Sequence, residues 1–184
     1  MDYRMTNEHQ SYLIQKYDYM FAERKRSIKN FNQQQEIDEE ILKISKEGKD
    51  EILMAQLTEE QKTIQPWYAI AFGLECGDGW FNLIDEMLGK IESVDKDKIA
   101  DIDQLKEKSG ELVLYLKNST DEMENIIREY AKKSIHVCEL CGKPGELCVA
   151  NKWYQTVCPE HREQESWPGR MRHYVPVSEI KEEE

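Results

Sequence analysis

The sequence predicts an α+β fold that is mainly helical, and three observations carry that reading. Residues 7–46 contain neither Gly nor Pro, and apolar side chains recur there every three or four positions. Two more stripes of helical period, at 79–92 and 121–133, flank a run of strand formers, Glu111-Leu-Val-Leu-Tyr-Leu116. Near the C-terminus, Cys138-x-x-Cys141 is followed about sixteen residues later by Cys158-x-x-His161. These features divide the 184 residues into a helical N-terminal extension (1–64), a small α/β core, mostly helical with one or two short strands (65–134), and a C-terminal module with its tail (135–184).

Along 7–46 the stripe runs through Leu13, Tyr17, Met20, Phe21, Ile28 and Phe31, then Ile37, Ile41 and Ile44. The polar run Asn32-Gln33-Gln34-Gln35 interrupts it, so the segment is either two helices or one with a weak centre, and Gly48 ends it. Glu23-Arg24-Lys25-Arg26 and Lys29 form a basic cluster that reads most simply as a solvated face. A short helix follows over 50–57. Thr58-Glu-Glu-Gln61 has the form of a capping box that starts another.

Pro66 breaks the pattern, and Trp67 to Phe72 is dense in strand formers. In Glu75-Cys76-Gly77-Asp78-Gly79, Asp78 is placed to cap the helix over 79–92. This turn lacks the further glycines and the Lys-Ser/Thr pair of a phosphate loop. No histidine is fixed beside Cys76 to make it a nucleophile. Residues 93–103 read as a charged loop and 102–108 as a short helix. Glu111–Leu116 reads as a buried strand, and Asn118 to Asp121 as a turn and cap before the helix at 121–133.

The two ligand pairs define the C-terminal module. A C-x-x-C turn converges two thiolates on one ion, and Cys158-x-x-His161 supplies the other two ligands of a closed tetrahedral zinc site. Gly142 directly after Cys141 suits the positive φ that such a knuckle needs. Residues 146–150 and 152–157 read as a hairpin, and Pro159 as the first residue of a helix carrying His161. Knuckle, hairpin and helix make a treble-clef-like zinc module. All four positions are filled by side chains, so the expected zinc is structural. Cys148 is mid-strand and expected to pack inward, and His136 and His173 lack pair spacing. The basic-aromatic segment 170–177 is expected on the surface.

The matching segments Leu74-Glu-Cys-Gly-Asp-Gly-Trp80, Leu105-Lys-Glu-Lys-Ser-Gly-Glu-Leu-Val-Leu-Tyr115 and Cys138-Glu-Leu-Cys-Gly-Lys-Pro-Gly-Glu-Leu147 occur in that order. Over roughly half the chain, from Trp67 to His161, this resembles a family of uncharacterised phage and prophage proteins. Its segments read F-x-C-G-x-G-W, I-K-E-K-F-G-x-L-R-F-Y and C-E-x-C-G-x-P-G-x-L-R, the last leading to W-x-x-T-L-C-x-x-H. The resemblance implies a phage accessory protein with a zinc module and implies no reaction. The family's Phe and Arg in the middle segment are Ser109 and Val113 here, and its Arg after the knuckle is Cys148. An anionic ligand held by those arginines would be lost.

A net charge of -12 and a pI near 4.9 argue against general nucleic-acid binding. Between Cys138 and Tyr174, Glu matches Lys and Arg in number, so the zinc module adds no cationic surplus. A nuclease on such a scaffold needs a histidine base in the hairpin, and 142–157 has none. Five cysteines, with two in a metal-type pair, point to a reducing compartment, and the first ten residues have no apolar signal segment. The expectation is a cytoplasmic, non-enzymatic zinc protein that engages a host or phage protein, for instance by inhibiting a defence or regulatory factor, or that self-associates. Tyr17, Phe21, Arg24, Ile28 and Phe31 are the expected partner contacts, because a face this apolar needs cover. A zinc-module nucleic-acid binder is the alternative, and a metal-dependent nuclease ranks last.

Overall fold

Thr6 accepts a hydrogen bond from the His9 N–H at 3.4 Å and so starts helix α1 (Asn7–Lys16). The computed structural model describes residues 4–47, 51–64, 69–166 and 170–180, and its α-helices and small antiparallel sheets make a mainly helical α+β fold. A 3₁₀ turn at Asp18–Phe21 follows α1 and buries Met20 and Phe21. The chain then runs through α2 (Ala22–Glu47), so the interruption falls before Ala22 and the polar run 32–35 stays inside one helix. Helix α3 (Glu51–Thr63) passes through Thr58, whose hydroxyl donates back to the Met54 carbonyl at 2.8 Å. It therefore caps nothing, contrary to the capping-box reading.

Ala69–Phe72 is a 3₁₀ turn rather than a strand, with Ile70 buried. A second 3₁₀ turn, Asp78–Trp80, leads into α4 (Phe81–Val94), which buries Leu83, Ile84, Met87, Leu88 and Ile91. Residues 102–108, expected as a helix, form strand β1 (Ile102–Lys108), antiparallel to β2 (Glu111–Leu116). The turn between them places Ser109 at φ 56° and Gly110 at φ 83°. Thr120 caps α5 (Asp121–Ser134) by accepting from the Met123 N–H at 3.3 Å.

One core joins these elements to the N-terminus. Leu13, Tyr17, Met20 and Phe21 pack with Trp80, Ile84, Leu88, Ile91, Ile102, Leu105 and Tyr130. The first helices are thus part of the central body, not an extension beginning at residue 1. Beyond them, α2 and α3 form a hairpin with its own cluster, Ile37, Ile44 and Leu57. Asp101 ties α2 to β1 by accepting the Glu23 N–H at 2.7 Å.

In the C-terminal part, β3 (Glu146–Ala150) and β4 (Trp153–Val157) form the expected hairpin, turning through Asn151 and Lys152 at positive φ. The helix expected from Pro159 is a single 3₁₀ turn, Pro159–His161. It stops because β5 (Glu163–Ser166) pairs with β6 (Arg170–His173). The segment expected as a surface tail is also structured. Strand β7 (Val175–Pro176) pairs with β3, and Tyr174 is buried. Gly48, Pro66 to Tyr68 and Trp167 to Gly169, whose Pro-Gly pair the sequence reads as the stop of the last helix, lie outside the described residues. No helix among the described residues is long and apolar enough to cross a membrane.

Candidate metal centre

Backbone geometry builds the first half of the site. The Cys138 N–H donates to the Lys143 carbonyl at 2.8 Å, and the Gly142 N–H donates to the Cys138 carbonyl at 2.9 Å. This closes a tight loop around Leu140 and Cys141, with Gly142 at φ 74°. The second half comes from the end of β4. Cys158 precedes the 3₁₀ turn, and the His161 N–H donates to the Cys158 carbonyl at 2.9 Å, which swings the imidazole back over Cys158. The three sulfurs and a His161 nitrogen all lie within 4.8 Å of one another. Cys141 Sγ is 3.8 Å from Cys158 Sγ, and His161 Nδ1 is 3.5 Å from Cys138 Sγ and 3.3 Å from Cys158 Sγ. These four side chains could hold a metal ion, and the sequence spacing identified all of them. His136, His173, Cys76 and Cys148 lie outside the cluster.

Two thiols of the cluster are shifted in opposite directions. Burial pushes the Cys138 thiol up to about 11, so a thiolate there needs a positive neighbour. Burial also opposes ionisation of Cys158, but hydrogen bonds from Cys141, Cys138 and the backbone N–H groups of Glu160 and His161 outweigh it and leave that thiol lowered. Cys148 sits buried in β3 with its thiol raised by burial, and packs as a small apolar group. Cys76 is raised well above the ordinary value by burial and by four nearby carboxylates, the opposite of an activated nucleophile.

The sequence did not reveal what the knuckle rests on. The turn before α4 is seated on it. The Gly79 N–H donates to the Glu139 carbonyl at 2.7 Å, and the Trp80 indole N–H donates to the Val137 carbonyl at 2.8 Å. A β-carbon on Gly79 would lie 2.2 Å from the Cys138 carbonyl oxygen, and one on Gly77 would lie 2.4 Å from that of Glu139. Both glycines are thus required by close approach of the knuckle backbone. Asp78 does not cap α4. It accepts from the Thr6 N–H at 2.9 Å and pairs with His9 Nδ1 at 2.8 Å, fastening the start of α1 to the same turn.

A pocket of about 210 Å³ adjoins the knuckle, with Glu75, Glu107 and Glu139 on its walls together with Arg4, Arg172 and Trp153. Glu139 accepts from the Gly77 N–H at 2.9 Å and from Gln155 Nε2 at 2.8 Å, and burial pushes its carboxyl up to about 7. Its two bonds brace the turn, the knuckle and β4 together.

The expected partner contacts fall in two groups. Tyr17 and Phe21 are sealed in the central core and are not available to a partner, because the α4 face and the β1–β2 hairpin already cover them. Arg24, Ile28 and Phe31 are partly buried along α2. Comparison with protein-family models, curated proteins and solved structures finds no match to this chain.

Proposed function

We propose that Cys138, Cys141, Cys158 and His161 hold a structural zinc ion, and that the chain is a non-enzymatic phage accessory protein that works by binding another protein. The distances within the ligand set carry the first part. A tetrahedron with Zn–S of about 2.3 Å and Zn–N of about 2.0–2.1 Å has S···S edges near ~3.8 Å and S···N edges near ~3.5 Å. The cluster has 3.8 Å for its S···S contact and 3.3 and 3.5 Å for its S···N contacts. Four side chains complete the sphere, whereas a catalytic zinc keeps a place for water. The docking of Gly77 to Trp80 on the knuckle gives such an ion a mechanical task, stapling the C-terminal strands to the core.

The protein-binding part is supported by the acidic surface and by the α2–α3 hairpin, which carries its own groove apart from the central core. The resemblance to phage and prophage proteins makes a host defence or regulatory factor the target class. One observation favours a nucleic-acid reading: Arg172 lies 5.2 Å over the half-exposed Trp153 ring, a cation on an aromatic platform. Glu75 and Glu107 share that pocket and oppose a phosphate.

Elemental analysis of purified protein should give one zinc per chain. Cys138→Ser should lose it, while Cys76→Ser and Cys148→Ser keep it; full zinc retention in Cys138→Ser would sink the assignment. Affinity capture from host lysate, with and without nuclease treatment, separates a protein target from a nucleic acid.

A further inference from the structure

Helix α2 carries one face whose two halves are complementary about a midpoint. The groove it forms with α3, of about 830 Å³, is lined along α2 by Lys25, Ile28, Lys29, Asn32, Gln33, Glu36, Ile37 and Glu40. These positions step by three and one, so they form a single stripe on the helix. Taken outward from the midpoint between Asn32 and Gln33, they pair as two amides, Lys29 with Glu36, Ile28 with Ile37, and Lys25 with Glu40. Each lysine has a carboxylate, and each isoleucine an isoleucine, at the same distance on the other side.

We propose that this face is the interface of an antiparallel homodimer, with its two-fold axis passing between Asn32 and Gln33. This rests on the reading of the chain as a binding protein and names a second copy as a partner. A two-fold contact is isologous, so every pairing occurs twice. In this register Lys25 meets Glu40 of the second copy, Lys29 meets Glu36, and the amides cross at the axis, while Ile28 faces the second copy's α2–α3 pair, where Ile37 is already packed on Leu57 of its own hairpin. Parallel pairing would set like charge on like charge and is disfavoured by the same residues. The stripe spans about 24 Å at ~1.5 Å per residue.

The four charged positions of this face are exposed. Lys29, Glu36 and Glu40 are exposed and form no ion pair among the described residues. Lys25 holds Asp18 at 2.6 Å, but both side chains are more than half exposed, so that pair exchanges readily. Leu57 and Glu60 of α3 wall the carboxylate half of the groove, leaving the lysine half for the second copy's hairpin. The net charge of -12 on each copy opposes approach. At physiological salt that long-range repulsion is screened beyond about 8 Å, while charges in contact are screened much less.

Sedimentation equilibrium of the full zinc-loaded chain tests this. At ~100 µM, well above the micromolar range of a modest interface, the mass should be twice 21.8 kDa. Lys25→Glu with Lys29→Glu should weaken the dimer by on the order of tenfold or more, and so should Glu36→Lys with Glu40→Lys. Mixing the two double variants should restore it as a heterodimer, and all four changes in one chain should restore it as a homodimer. A monomeric wild type overturns the proposal, as does a dimer indifferent to the reversals, or loss without rescue. A monomer whose hairpin captures a different protein gives the groove to that protein and overturns it too. If a reversal variant loses its helical circular dichroism, the neutral pairs Lys25→Gln with Lys29→Gln and Glu36→Gln with Glu40→Gln are read instead, each weakening the dimer. Zinc content is measured on every sample. A zinc-loaded monomer fails this inference alone and leaves the proposed function standing.

Discussion

Gly79 has no room for a β-carbon, because the Cys138 carbonyl oxygen and the Gly142 nitrogen would lie 2.2 and 2.4 Å away. Both obstacles are backbone of the knuckle and cannot rotate aside. Gly79→Ala is expected to cost about 2–3 kcal/mol in urea unfolding, at the upper end of overpacking effects. Hydrogen exchange at Cys138 to Gly142 should accelerate in that variant; unchanged stability would mean that the turn does not rest on the knuckle. Single residues differ in how much of this is written locally. The four cluster ligands are legible because their pairing is a matter of three-residue spacing within one module. Asp78 was misread because its true partners, Thr6 and His9, lie about seventy residues upstream.

Elements joined to distant charges behave the same way. Glu23, in the first turn of α2, is buried. Burial opposes its ionisation, but hydrogen bonds from Lys117, Arg26 and Ser27 outweigh this and hold the carboxyl below its ordinary 4.5. A depressed folded value means that the stabilisation is present above about 4.5 and is lost as pH falls through the folded value. Glu23→Gln should therefore cost about 1–3 kcal/mol at neutral pH, scaled to charge-assisted hydrogen bonds with partly exposed partners. The difference from wild type should shrink as denaturation is repeated at pH values below that range; a pH-independent difference would point to lost packing instead. Strand β1 shows why an element can mislead. Ile102 and Leu105 face the core three residues apart, a helical interval, because a register shift between Ile102 and Gln104 breaks the alternation of the strand. Likewise Pro159 correctly marked a helical start, but pairing with β6 ended it after one turn.

At the scale of the molecule, the central core and the C-terminal cluster share no buried residue. A structural zinc of the kind proposed contributes on the order of 10–16 kcal/mol. Chelation should therefore release 138–180 while α4, the β1–β2 hairpin and α5 keep their protection, as read by hydrogen exchange with and without chelator. Equal loss in α4 and β3 would show one cooperative unit. The amphipathic stripe of the first forty residues was legible, because its period is local. What covers it was not, since the stripe fixes a face that must be buried and says nothing of the α4 side chains that bury it.

The Glu23–Asp101 bond joins positions 78 residues apart in sequence. On a ribosome adding ~5–20 residues per second, Asp101 follows Glu23 by about 4–16 s. For most of that interval α1 and the start of α2 have no α4 to lie on, and for all of it no β1, so Tyr17, Met20 and Phe21 are open to solvent and to chaperones. The knuckle thiols come later still. By the time Cys138 and Cys141 emerge, the Gly77–Trp80 turn that will seat them has long been made. The order of synthesis thus delivers the side chains that could hold a metal ion after the turn on which their knuckle rests.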